Sequence, residues 1–224
     1  MTDATRHTRR SALLAVAAAP LAACASLGTE YGDIGDLVAQ TFGLEARPGI
    51  TREQASAIPY ASMGYRIGSS GESMLILATQ SSGDLLWSSS VHRALMTRAG
   101  RIIRSAGFAW NLGATEFTVP DPLAVDPRNL DGQTARRLID LPDVEKLSQS
   151  VVSRFRNAGR QQIEILGTQL STVAAVEHCR CEGLSWEFDN AYWVDDETGF
   201  VWRSRQTIHP NLPSIQIEIF RPPA

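Results

Sequence analysis

Near the C-terminus the segment PSIQIEIFRPP alternates Ile215, Ile217 and Ile219 with Gln216 and Glu218. A period of two puts the isoleucines on one face and the polar side chains on the other, which makes a strand with one buried and one wet side. Such a strand needs neighbours to pair its backbone groups, and the chain from Tyr60 onward supplies them. ASMGYRIG, SMLILATQ and LLWSSS are short β-rich runs separated by Gly/Ser turns, with GSSG at 68–71 reading as a hairpin turn. RALMTRAGRIIRS reads as a hairpin with Gly100 at its tip. Residues 111–150 open with NLGATEFTVPDPLAVDPRNLDGQ, are rich in Pro, Asp and Gly, and read as a long irregular connection. Strands resume with SVVSRFR, RQQIEILG, LSTVAAVEH, LSWEF and the two arms of YWVDDETGFVW.

Two short helices precede the strands. IGDLVAQTFG places Ile34, Leu37, Val38 and Phe42 at helical spacing, with Gly43 as a C-cap. In ITREQASAIPY, Thr51 caps a helix N-terminus, Gln54 completes a capping box and Pro59 stops the helix. The fold class read from these patterns is mainly β: an antiparallel β-sandwich or open β-barrel with one or two short N-terminal helices.

The first residues carry an address. MTDATRHTRR holds Arg6, Arg9 and Arg10, and the apolar run SALLAVAAAPLAA ends at Cys24. A positive segment, an apolar stretch too short to span a bilayer and small residues before a cleavage point make a secretory signal. Leu21-Ala22-Ala23-Cys24 matches the bacterial lipobox, in which the cysteine becomes the lipidated first residue of the mature chain. TRRSALL also resembles a twin-arginine signal, although Ala12 stands where a bulky residue is usual, so both export routes stay open. The chain therefore divides into a signal peptide (1–23), a lipidated Cys24 with a tether and short helix (24–50), and one β-rich domain (51–224).

Without residues 1–23, which hold three Arg and one Asp, the 21 basic and 24 acidic residues become 18 and 23, a net charge of −5. That is no electrostatic footprint for nucleic acid. Cys179 and Cys181 in EHCRCEG then face an oxidising compartment. A local disulfide between them needs a bulge or turn, because residues i and i+2 of a regular strand lie near the limit of disulfide geometry. Reduced or intermolecular thiols, or a metal site with His178, are the alternatives.

The acids Asp195, Asp196 and Glu197 decide between enzyme and non-enzyme. With Glu197-Thr198-Gly199 as a three-residue loop, Asp196 faces Phe200, Asp195 faces Val201, Val194 faces Trp202 and Trp193 faces Arg203. Asp195 and Asp196 then point to opposite faces, which suits a solvated turn better than a glycosidase pair or a calcium site. G-x-S-x-G and G-K-[ST] are missing, and His92, His178 and His209 have no neighbour at metal or nucleophile spacing. No metal or other cofactor is called for. On the hairpin, Trp193 with Asp195 and Arg203 forms a candidate glycan contact, the alternative being that Trp193 and Trp202 are both core.

The ordered blocks ITREQASAIPYASMGYRIG, LLWSS, LMTRAGRIIRSAG, DPLA and YWVDDETGFVWRSRQ resemble the YjbF/GfcB lipoprotein family, from about Ile50 to about Arg221. HCRCEG does not map onto the family pattern, so the two cysteines take no role from it. The resemblance implies an outer-membrane lipoprotein facing the periplasm, with no settled enzymatic activity, in exopolysaccharide or group 4 capsule production. Ala25 after the lipidated cysteine agrees with outer-membrane sorting. Implied partners are the membrane itself through the lipid, the polysaccharide, a polysaccharide export protein and an outer-membrane β-barrel protein. The competing expectation is a periplasmic hydrolase or lyase that trims the polymer, with Asp195, Asp196 or Glu197 converging on Asp189 or Glu187.

Overall fold

The structure, a computed structural model, describes residues 49–224. The export signal, Cys24 and the helix expected over 34–42 lie outside those residues. α1 (Arg52–Ser56) carries the expected capping box: Gln54 N donates to Thr51 Oγ1 at 3.2 Å and Thr51 N donates to Gln54 Oε1 at 2.8 Å. A first meander follows: β1 (Ser62–Ile67), β2 (Ser73–Ser81), β3 (Asp84–Ser88), β4 (Ala94–Arg98) and β5 (Arg101–Ala106). The second meander contains β6 (Ala114–Phe117), α2 (Pro122–Val125), β7 (Thr134–Leu141), β8 (Lys146–Ile165), β9 (Thr168–Cys181), β10 (Trp186–Asp195), β11 (Val201–Gln206) and β12 (Ile215–Arg221).

All twelve strands join one antiparallel sheet, because β12 pairs with both β11 and β1 and so connects the meanders. The two edge strands, β5 and β6, approach each other, and Leu112, two residues before β6, is tied to β5: Ser105 N donates to Leu112 O at 2.8 Å and Leu112 N donates to Ser105 Oγ at 2.9 Å. The sheet is thus a nearly closed barrel, which is how so long a sheet disposes of its edges.

The inward faces follow the period-two pattern. Met63, Leu75, Trp87, Leu95, Val151, Ile215 and Ile217 belong to the main interior cluster, each such side chain stabilising by about 1.5–3 kcal/mol on burial. Trp87 settles its polar edge by donating Nε1 to Thr97 Oγ1 at 2.9 Å. A second cluster, including Leu123, Leu130, Phe155, Tyr192 and Val201, packs beside α2. Ile215, Ile217 and Ile219 are buried as expected, but Gln216 is only partly exposed and the Glu218 side chain is mostly buried, with Arg203 of the neighbouring strand against it at 2.9 Å.

Three expectations need correction. The stretch 111–150 is not one irregular connection; it holds β6, α2, β7 and the start of β8. β7 escapes detection because Arg137 occupies an inward position between Ala135 and Ile139 and breaks the apolar alternation. SVVSRFR and RQQIEILG are one long strand, β8, bent by a bulge between Asn157 and Gly159. In the 192–202 hairpin, Trp193 does face Arg203, but a bulge then pairs Val194 with Val201. Val201 therefore joins Tyr192 and Val194 inside, and Trp202 turns to the outer face. The loop is also one residue longer than expected, closed by Asp195 N donating to Phe200 O at 2.7 Å.

The tip at Gly100 is as read. Ala99 and Gly100 both have positive φ (47° and 82°), the twist that a two-residue hairpin turn demands. A Cβ on Gly100 would stand 2.5–2.8 Å from the Val201 side chain. Gly100→Ala should therefore cost about 2–4 kcal/mol, from overpacking plus left-handed strain. Gly83, also at positive φ but with open space around it, should lose only about 1 kcal/mol as Gly83→Ala. Urea midpoints of the two variants check this; equal losses would remove Val201 from the explanation.

Candidate functional site

Asp195 organises its turn. Its Oδ1 accepts from Thr198 N at 2.7 Å, Thr198 Oγ1 at 2.8 Å and Glu197 N at 3.2 Å, while Oδ2 accepts from Trp202 Nε1 at 3.1 Å. Burial alone would raise its pKa, but these donors outweigh it and hold the carboxyl below its ordinary value. Asp196 and Glu197 sit on the exposed tip. Asp189 lies six residues back along β10, roughly 20 Å from Asp195 at strand rise, outside the roughly 5–9.5 Å that a carboxylate pair needs. Asp189 Oδ1 instead accepts from His178 Nδ1 at 2.8 Å across β9 and β10, and Glu187 stands opposite Arg180. The acids named for a trimming reaction are thus not brought together. Among the described residues no cluster of metal-ligating side chains occurs.

Trp193 and Arg203 do meet, with the guanidinium 5.9 Å from the ring centre, but not at the surface. Trp193 is 0% exposed and donates Nε1 to Gln161 Oε1 at 2.8 Å. Beyond its bulge the β8–β9 arm folds over the outer face of β10 and β11, so that Ile163 and Ile165 pack with Trp193 in a third apolar cluster. Arg203 Nη2 donates to Glu164 O of the same arm at 2.8 Å. Trp193 lies on the outer face of the sheet, and its cover comes from residues thirty positions away in sequence.

The bulge that turns Trp202 outward places it at a groove of about 180 Å3. Trp202, Phe220, Leu166 and Leu170 supply apolar walls, and Arg52, Arg221, Thr168 and Ser56 supply polar groups. Arg52 links helix to arm by donating Nη2 to Thr168 Oγ1 at 2.9 Å. Leu166 holds φ at +49° in the two-residue turn before Gly167. A left-handed leucine costs roughly 1–2 kcal/mol, and here it directs an apolar side chain into the groove. Aromatic faces beside guanidinium and hydroxyl donors suit the C–H faces and hydroxyls of a sugar ring. Sequence reading missed this site because α1, the β8–β9 turn, β11 and β12 all contribute; the unusual Leu-Gly turn in ILGT was its one local signal.

Inside the barrel lies a buried ionic cluster. Glu177, 0% exposed, accepts from Arg101 Nη1 at 2.7 Å, Arg137 Nη1 at 2.8 Å, Ser153 Oγ at 2.6 Å and Asn190 Nδ2 at 2.9 Å. Arg101 also donates to both oxygens of Asp121, at 2.7 and 3.1 Å. Burial pushes the Glu177 pKa up, but Arg101 and Arg137 outweigh it and hold the carboxyl far below its usual range. The adjoining cavity, about 20 Å3 and lined by Arg101, Arg137, Asn190 and Gln206 among others, has room for about one water and none for a sugar.

Cys179 and Cys181 border this cluster as free, buried thiols, with no disulfide between them. Both occupy inward positions of a regular β9, without the bulge that a bond would need. Burial drives Cys179 up to about 12 and raises Cys181 as well. Both thiols should therefore resist an aromatic disulfide reagent in the native protein and react at once in guanidinium, read by absorbance. Rapid native reaction would contradict the packing.

Comparison with known proteins gives a consistent result. The sequence model of the YjbF family, described as group 4 capsule polysaccharide lipoprotein gfcB, YjbF, matches residues 33–220. The uncharacterized lipoprotein GfcB of Escherichia coli (strain K12) is 24% identical over 174 residues, covering 77% of this chain and 81% of the relative. The uncharacterized lipoprotein YjbF of the same strain is 22% identical over 188 residues, covering 83% and 85%. The crystal structure of the hypothetical lipoprotein YmcC from Escherichia coli (K12) superposes with a TM-score of 0.70 at 22% identity, over 88% of this chain and 100% of that one. It shares the fold.

Proposed function

This chain belongs to the YjbF family of group 4 capsule polysaccharide lipoproteins, and from that premise we propose that it is a non-enzymatic accessory of exopolysaccharide or capsule assembly and export. It is anchored by lipid on Cys24 in the outer membrane and faces the periplasm. The lipobox at residues 21–24 and Ala25 after it support the anchor and its sorting. Its neighbours are a polysaccharide export protein and an outer-membrane β-barrel protein of the same system. Its contact with polymer is the groove at Trp202, and that groove is the observation that carries the glycan-binding part of the reading: an aromatic wall with guanidinium and hydroxyl donors beside it, and no acid pair in its lining.

The test is calorimetry of the purified protein with polysaccharide from its own producer, with polymer length followed by size-exclusion chromatography in the same samples. Binding with unchanged length, and at least a tenfold loss in Trp202→Ala, is expected; stacked aromatic anchors of this kind carry a disproportionate share of binding energy. Shortened polymer would replace this reading with a trimming hydrolase or lyase. Cell fractionation with Cys24→Ser tests the anchor: the variant should leave the membrane fraction, and retention there would refute lipid anchoring.

A further inference from the structure

We infer that the groove takes an acidic sugar residue, one bearing a carboxylate, from a chain that continues outside it. The inference rests on the glycan-binding reading above and specifies its ligand. Arg52 and Arg221 are the charged residues that line the groove, and no carboxylate lines it. That bias is local, because the whole chain carries a net charge of −3.

The two guanidiniums have different roles. Arg52 is partly engaged, with Nη2 on Thr168 Oγ1, which fixes the position of its remaining donors. Glu53, its neighbour in α1, is exposed and outside the lining. Arg221 ends β12 opposite Ser62 and is exposed. Its sequence neighbours Phe220 and Pro222 also line the groove, and neither can neutralise it. An arginine presents a planar fork that meets a carboxylate through two parallel hydrogen bonds, so carboxylate recognition is the chemistry this rim offers.

The apolar side restricts the rest of the ligand. Trp202 and Phe220 give aromatic surface, and Leu166 adds its side chain from a left-handed turn position. At about 180 Å3 the groove is smaller than the roughly 300–1,000 Å3 pockets that enclose drug-sized ligands. It suits one ring of a longer chain and is too small to sheathe an acyl chain. A sugar acid satisfies both sides at once, with its ring on the aromatics and its carboxylate on the arginines.

The experiment titrates the full chain, in mild detergent, with trigalacturonate and with maltotriose, a neutral oligomer of equal length. Trigalacturonate should bind about tenfold more tightly in low salt, and added salt should narrow the difference. Arg221→Gln should remove most of the preference while leaving thermal melting unchanged, and Arg52→Gln with Arg221→Gln should remove the rest. Equal affinity for both oligomers, or a preference that survives the double variant, overturns the inference while Trp202-dependent binding of the producer's polysaccharide keeps the glycan-binding reading. Competition by phosphatidylglycerol vesicles in place of trigalacturonate overturns it in favour of a lipid headgroup. If no saccharide binds, both readings fall.

Discussion

Glu177→Ala should lower stability by about 3–5 kcal/mol, because removing one member of a buried ionic cluster strands the others. Arg137 loses its carboxylate partner and Arg101 keeps only Asp121. For a domain of this size the melting temperature should fall by roughly 6–20 °C. The pH dependence has a definite sign. The folded Glu177 pKa lies far below its unfolded value, through the two guanidiniums that outweigh burial. Its contribution is therefore complete above the unfolded carboxyl value, near 4, and is lost as pH falls below it toward the folded value. Glu177→Gln should lack that part of the acid limb. A Gln variant with the wild-type decline between about pH 4 and pH 2 would show that other carboxylates govern acid unfolding.

Trp193→Ala should cost about 3–5 kcal/mol, the range for truncating a large buried aromatic, and should also leave Gln161 Oε1 without its donor. Trp202 is half-buried and lines the groove, so Trp202→Ala should cost about 1–2 kcal/mol while weakening the proposed glycan binding at least about tenfold. Melting curves and calorimetry on the same two variants separate the roles. Unchanged melting in Trp193→Ala would mean that the β8–β9 arm does not cover this indole in solution.

Much of the fold was legible because its signals are local. The Ile215–Ile219 alternation, the Thr51–Gln54 capping box, the glycine at 100 and the GSSG turn each depend on a few adjacent residues, and each is found where read. GSSG closes the β1–β2 hairpin, with Ser70 Oγ accepting from Ile67 N at 3.1 Å. What was hidden depends on distant parts of the chain. Arg137 faces inward only because Glu177, forty residues later, neutralises it. Trp202 turns outward because of one extra residue in β11, a bulge that leaves no mark in composition, whereas Trp193 is buried by Ile163 and Ile165 of the distant β8–β9 arm. The groove combines residue 52 with residue 221, a pairing that no short window contains.

The seam between β1 and β12 sets an order of assembly. Met63 pairs with Ile219 and Tyr65 with Ile217, so the central ladder joins the first and last strands in sequence. Contacts this remote carry the full entropy of closing the intervening chain and slow folding accordingly. Until β12 arrives, β1 and β11 each present an unpaired row of N–H and C=O groups, the condition in which strands add to other chains. A chain threaded through a membrane from its N-terminus would pass through that state on every export event. The interval before the final strand emerges is when those open edges are most available for pairing with other chains.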